Sequence, residues 1–288
     1  MLQELIADYP WFLYLGIGLF SLCVGSLLNL IIYRLPLMLE REWKQQCCEL
    51  LALENKENNP AINLFFPRSF CPQCKTQIKS WQNIPIFSYL MLRGACHQCK
   101  APISIRYPLI ELFTMLISLY AFWHFGFNPQ LIFVLLALWL LIPLFFIDLD
   151  HQLLPDSITL SLLWLGLIAN SYSLFTDLSN AVLSAAGAYL GLWLFIKLFY
   201  LITGKIGMGN GDFKLFAAFG AWFGWTSLPL ILLFSSMTGA VVGLIYLKMN
   251  KKSKDTTIPF GPFLCIAGVI YLFWGTKIIH WYLQMWLH

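Results

Sequence analysis

Two short stretches concentrate the acids that lie against apolar sequence: LFFIDLDHQLLPDS, holding Asp148, Asp150 and Asp156, and GMGNGDFK at 207–214, holding Asp212 and Lys214. Ionisable side chains beside membrane-length apolar runs are costly, so each calls for a functional reading. Brought together from separate helices, Asp148 and Asp212 would share a small, poorly solvated space. Repulsion between two such carboxylates separates their titrations, so that one is ionised and the other protonated near neutral pH. Aspartyl proteolysis needs that arrangement: one acid draws a proton from an attacking water, and the other donates to the peptide carbonyl oxygen. Asp150 lies two residues from Asp148 and faces another way on a helix, which suits a lip residue paired with His151 or solvated. Asp156 follows Pro155 ahead of an apolar run and reads as a helix N-cap. Glu111, inside another apolar run, completes the set. No G-x-S-x-G occurs, and His124, His280 and His288 fall toward the opposite side, so no serine or histidine constellation competes.

The second chemical signature is Cys71-Pro-Gln-Cys74 and Cys96-His-Gln-Cys99, two C-x-x-C knuckles with 21 residues between them. This spacing suits a closed, four-thiolate zinc site of structural role, with Zn–S distances of about 2.3 Å. Disulfides or free thiols are the alternatives, and a reducing cytoplasmic location argues against the first. His97 is a less favoured substitute ligand. Cys23 and Cys265 fall in apolar runs, where cysteine behaves as a small apolar residue; Cys47 and Cys48 read as free and exposed.

The elements that must position these residues are membrane helices. The chain has 288 residues, 59% hydrophobic and only 11% charged, far from a soluble globular composition. Apolar runs at 11–33, 108–126, 130–147, 157–175, 181–203, 228–247 and 260–280, and a weaker one at 213–225, approach the length that crosses roughly 30 Å of hydrocarbon. Glu4 and Asp8 precede the first run with no basic residue, unlike a signal peptide, so that helix is retained. Ten of the 18 Lys and Arg residues lie from Arg34 to Arg106, three flank the glycine stretch (Lys197, Lys205, Lys214), four lie from Lys248 to Lys254, and only Lys277 remains. With an outside amino terminus and eight helices, all three basic regions are cytoplasmic, as the positive-inside rule demands. The acids then sit at one edge of the membrane. A transporter would instead need internal repeats and acids near mid-membrane, and the net charge of +4 reflects topology with no nucleic-acid partner.

The expected fold is an all-α polytopic membrane protein of about eight transmembrane helices, with a small zinc-stapled cytoplasmic domain between the first and second. Residues 1–33 form the periplasmic amino terminus and first helix, 34–107 the cytoplasmic zinc-binding domain, and 108–288 a seven-helix membrane domain. Between Tyr33 and Asn58, charges mixed with Leu37, Leu39, Trp43 and Leu50 suit an amphipathic helix after Pro36 or a solvated connector. Gly207, Gly209 and Gly211 fit either a flexible turn or a close backbone approach for an extended peptide.

Five blocks together carry a family resemblance: GSLLNLIIYRLPLMLEREW (25–43), CPQC (71–74), IPIFSYLMLRGACHQCKAPISIRYPLIEL (84–112), IDLDHQLLPD (147–156) and GMGNGDFKLFAAFGAWFGW (207–225). The chain resembles bacterial type IV prepilin peptidases, GxGD-type aspartic proteases. The resemblance implies cleavage of the leader from type IV prepilins and type II secretion pseudopilins at the cytoplasmic face of the inner membrane. It also implies N-methylation of the new amino terminus with S-adenosylmethionine, with the 34–107 segment as the home of that activity. On this pattern Asp148 and Asp212 are the catalytic acids. The sequence shows no glycine-rich nucleotide fingerprint, names no S-adenosylmethionine ligand, and carries no signal for an oligomeric state.

Overall fold

A computed structural model describes residues 10–53, 63–64, 66–205, 207–250 and 258–286. Helix α1 (Pro10–Leu50) is followed by a 3-10 turn at Ser80–Asn83, then α2 (Phe87–Met91), α3 (Arg106–Phe125), α4 (Pro129–His151), α5 (Asp156–Ser171), α6 (Leu178–Thr203), α7 (Asn210–Phe223), α8 (Ser227–Asn250) and α9 (Gly261–Trp286). Among the described residues no strand occurs, only two isolated β-bridges. The chain is an all-helical, multi-pass membrane protein. Each of the eight apolar runs is a helix, and six are long and apolar enough to cross a membrane. The other two, α5 and α7, have 16 and 14 residues, which rise about 24 and 21 Å at 1.5 Å per residue.

The chain divides into two compact units, residues 1–127 and 128–288. In the first, α1 packs on α3. Gly25 lies so close that an added Cβ would stand 2.8 Å from the Glu111 Cα. The helix expected to begin after Pro36 is the continuation of α1, which runs through that proline to Leu50. Proline removes one ladder N–H, and here the helix spans the loss; residues 54–58 of that stretch lie outside the described residues. Buried Arg34 reaches from α1 to the carbonyls of Asn63 at 2.8 Å and Pro67 at 2.6 Å, tying the segment ahead of the first knuckle to the helix.

In the second unit α7 is the enclosed element, packed between α5 and α6 with most of its residues buried. Small residues permit this, as is usual for helices packing within a membrane. Gly220 abuts the Ser184 carbonyl, and Ser184 Oγ donates to the Gly220 carbonyl at 2.8 Å. The Trp222 indole N–H donates to the Leu162 carbonyl at 2.9 Å. Protein therefore surrounds α7, which explains how a helix too short to span alone belongs to the membrane core. Asn128 starts α4 by accepting the Leu131 N–H at 2.9 Å, with Pro129 at the first helical position, the expected start signal. α4 stops at His151, where Gln152 turns to a φ of 53° and its N–H closes on the Asp148 carbonyl at 2.9 Å.

Candidate active site and metal centre

Asp148 occupies the last turn of α4 and Asp212 the first turn of α7. Both are buried, at 5% and 8% exposure. Asp212 is the third residue of its helix after the N-cap Gly209, and its carboxylate turns back toward Gly209, with Oδ2 3.6 Å from where a Cβ on that glycine would stand. The positive end of α7 thus faces a negative side chain. Asp148 accepts from the backbone N–H of Gly261, the residue that opens α9. Leu154 joins the two settings: its Cβ lies 2.8 Å from where a Cβ on Gly211 would stand, and its Cδ2 3.1 Å from the same point on Gly261. The two carboxylates lie close enough to act on one another electrostatically, and Cys265, one turn into α9 and buried, feels both. Asp148 Oδ2 and Asp212 Oδ1 have no hydrogen-bond partner. Buried polar atoms are rarely left unpaired without a role, which marks these two oxygens as candidates for chemistry.

The four knuckle thiols converge separately, in the first unit. Cys71, Cys74, Cys96 and Cys99 hold their sulfurs within 4.8 Å of one another. The Cys71 to Cys99 Sγ distance is 3.8 Å, the edge of about 3.8 Å that a tetrahedron of 2.3 Å Zn–S bonds requires and far beyond a disulfide bond. The knuckles repeat one backbone plan. Lys75 N–H donates to the Cys71 carbonyl at 2.9 Å and Lys100 N–H to the Cys96 carbonyl at 3.0 Å. Each lysine takes a positive φ, 58° and 60°, and bridges pair Phe70 with Gln77 and Ala95 with Pro102. The Thr76 hydroxyl and N–H, hydrogen-bonded to Cys74, lower that thiol to about 6. Amides of Cys99 and Gln98 lower Cys96. Donors aimed at these two sulfurs favour the thiolate, the form that binds a metal, whereas at Cys99 the Ala101 amide is outweighed by burial and the sulfurs of Cys74, Cys96 and Cys71, which push that thiol up to about 11. His97 stands outside the cluster, edge-on to Trp81 with ring centroids 6.0 Å apart.

A profile of the bacterial peptidase A24 N-terminal domain matches residues 19–125, and one of the type IV leader peptidase family matches residues 135–244. Proteins named prepilin leader peptidase/N-methyltransferase from Legionella pneumophila, Stutzerimonas stutzeri and Pseudomonas aeruginosa are 65%, 52% and 50% identical to this chain. These matches cover 100%, 98% and 98% of this chain and 100%, 97% and 98% of those proteins. The chain belongs to the type IV leader peptidase family. No solved structure matches it.

Among the other residues of this leader peptidase family member, some depart from their sequence-based expectations and some keep them. Asp156 is not an N-cap: Pro155 holds that position, and the Asp156 carboxylate takes both oxygens to Lys214 Nζ, at 2.6 and 2.7 Å. Lys214 is therefore an ion-pair partner tying α7 to α5, and not simply a charge anchored at the membrane edge. Asp150 is exposed, as a lip residue should be. Glu111 belongs to the first unit, where its Oε2 accepts the Ile86 N–H at 2.8 Å. Ile86 adopts a φ of 59°, unusual for a β-branched residue, and the Glu111 carboxylate holds it there. Of the three glycines, Gly209 has ordinary extended backbone, and Gly211 makes the tight approach. Gly261 had no signal in the sequence at all, because a glycine beside proline reads as a turn until a carboxylate is seen against it.

Proposed function

We propose that this chain is a bifunctional processing enzyme of the bacterial inner membrane. It cleaves the leader peptide from type IV prepilins and type II secretion pseudopilins at the cytoplasmic face, then N-methylates the new amino-terminal residue. Asp148 and Asp212 are the catalytic acids. The observation that carries this reading is the pair of buried aspartates at two helix ends, each with one unpartnered oxygen. A water held between them loses a proton to one carboxylate as it adds to the scissile carbonyl, and the other acid protonates the carbonyl oxygen; the C–N bond then breaks as the amine takes up a proton. The substrate's own apolar helix would lie among the membrane helices. The amino terminus is periplasmic, and residues 34–107 are cytoplasmic.

Residues 34–107 are the seat of methyl transfer, with Cys71, Cys74, Cys96 and Cys99 holding one zinc ion. The four-sulfur donor set and the 3.8 Å edge fit zinc in a closed structural site. S-adenosylmethionine supplies the methyl group to the primary amine. The described residues include no strand-to-helix glycine turn of the nucleotide-binding kind, so no residue is assigned as its ligand.

The test uses full-length enzyme in detergent, with prepilin cleavage followed by gel shift and labelled methyl transfer measured on pre-cleaved pilin. Asp148→Asn and Asp212→Asn each abolish cleavage, leave insertion intact and spare methyl transfer to the pre-cleaved substrate. Normal cleavage by either variant would sink the assignment.

A further inference from the structure

The segment IPFGPF at 258–263 brings a backbone against Asp148 that the family profile ending at residue 244 does not reach. A Cβ built on Gly261 would stand 2.6 Å from Asp148 Oδ2 and 3.1 Å from its Cγ, well inside the ordinary contact distance of about 3.5 Å. The same point lies 3.1 Å from Leu154 Cδ2, so an added methyl is accommodated by moving the Asp148 carboxylate. Gly261 is the first residue of the 26-residue α9, and its N–H bonds the Asp148 carboxylate. Oδ2, the oxygen beneath the missing side chain, is the one that has no partner.

We propose that Gly261 is a positioning residue for peptide hydrolysis. Its N–H, at the positive end of α9, steadies the Asp148 carboxylate, and its lack of a side chain lets the buried, unpartnered Oδ2 hold this position without a clash. The proposal rests on Asp148 being one of the two catalytic acids. Three helices then build the site: α4 and α7 supply the acids, and α9 sets the direction of one of them. Misplacing a reacting group by about 1 Å is enough to cost on the order of 10²-fold in rate, and a methyl at residue 261 forces a displacement of that size.

The experiment compares Gly261→Ala with Gly191→Ala, a helix α6 glycine with nothing within 4 Å of its added Cβ, in the full-length enzyme. Gly261→Ala lowers kcat for prepilin cleavage about 10²-fold with KM unchanged. Affinity for a hydroxyethylene peptide analogue falls by the same factor, since such mimics report transition-state complementarity. Methyl transfer to pre-cleaved pilin and the activity of Gly191→Ala stay at wild-type levels. A kcat near wild type, or a loss confined to KM, overturns the proposal. If Gly261→Ala fails to insert, it is combined with Asp148→Ala, which removes the atoms the new methyl meets; recovery of insertion supports the contact, and failure to recover overturns it. Retained cleavage by Asp148→Asn would bring down the proposed function itself, whereas active Gly261→Ala beside inactive Asp148→Asn brings down only the positioning role.

Discussion

Asn170 holds the far end of the helix that carries Asp212, and replacing it tests whether the placement of α7 depends on polar bonds inside the membrane. The side chain is fully buried in the last turn of α5. Its Nδ2 donates to the carbonyls of Ala221 at 2.7 Å and Trp222 at 3.0 Å, and its Oδ1 accepts the N–H groups of Phe175 and Thr176, both at 3.1 Å. The two carbonyls belong to the last turn of α7, where no intrahelical donor remains. Asn170→Ala deletes all four bonds. At about 0.6 kcal/mol each inside a membrane protein and about 1 kcal/mol in general, the loss sums to roughly 2–4 kcal/mol. Asn170→Asp replaces the donor with an oxygen facing two carbonyl oxygens and is expected to destabilise by at least as much. The assay is equilibrium unfolding in mixed micelles by SDS titration, followed by tryptophan fluorescence, with prepilin cleavage measured on the same samples. Cleavage declines in step with the folded fraction. A change below about 1 kcal/mol for Asn170→Ala, outside the range set by those bonds, would refute the reasoning.

Two further outcomes follow from the same structure. Cys71→Ser, which removes the buried member of the thiol cluster, abolishes metal content by elemental mass spectrometry and collapses methyl transfer while prepilin cleavage persists; methyl transfer at full rate without metal would refute a structural role for the ion. The Lys214–Asp156 pair is part-exposed, at 27% and 58%, so a double-mutant cycle with Lys214→Met and Asp156→Asn yields a coupling of only about 0.2–1 kcal/mol that shrinks with salt. A coupling of several kcal/mol would mean that the pair is shielded from solvent in the membrane.

Much of the site was legible because its residue types are expensive where they stand. Asp148 and Asp212 lie against apolar sequence that no soluble domain would carry, and the paired knuckles have a spacing that suits a four-thiolate metal site. The eight helices could be read from apolar runs alone, although the length of α7 could not, because its ends depend on Gly209 and Gly224 caps seen only in three dimensions. Local logic failed where a residue's partner is distant in sequence. Asp156 satisfies every local rule for an N-cap and instead pairs with Lys214, 58 residues away. Pro36 marks a helix boundary by local preference, yet packing of α1 on α3 and the bonds from Arg34 lie along a helix that passes through it.

By itself the sequence determined which side chains are available for chemistry, that the chain crosses the membrane repeatedly, and that four cysteines form one set, since composition, charge placement and ligand spacing are local properties. Only the tertiary structure decided that two acids 64 positions apart in the chain share one setting, that each keeps an unpartnered oxygen, and that Gly261 lies against one of them. Those facts depend on how helix ends meet, and contacts between distant segments leave no trace in the spacing of residues along a single chain.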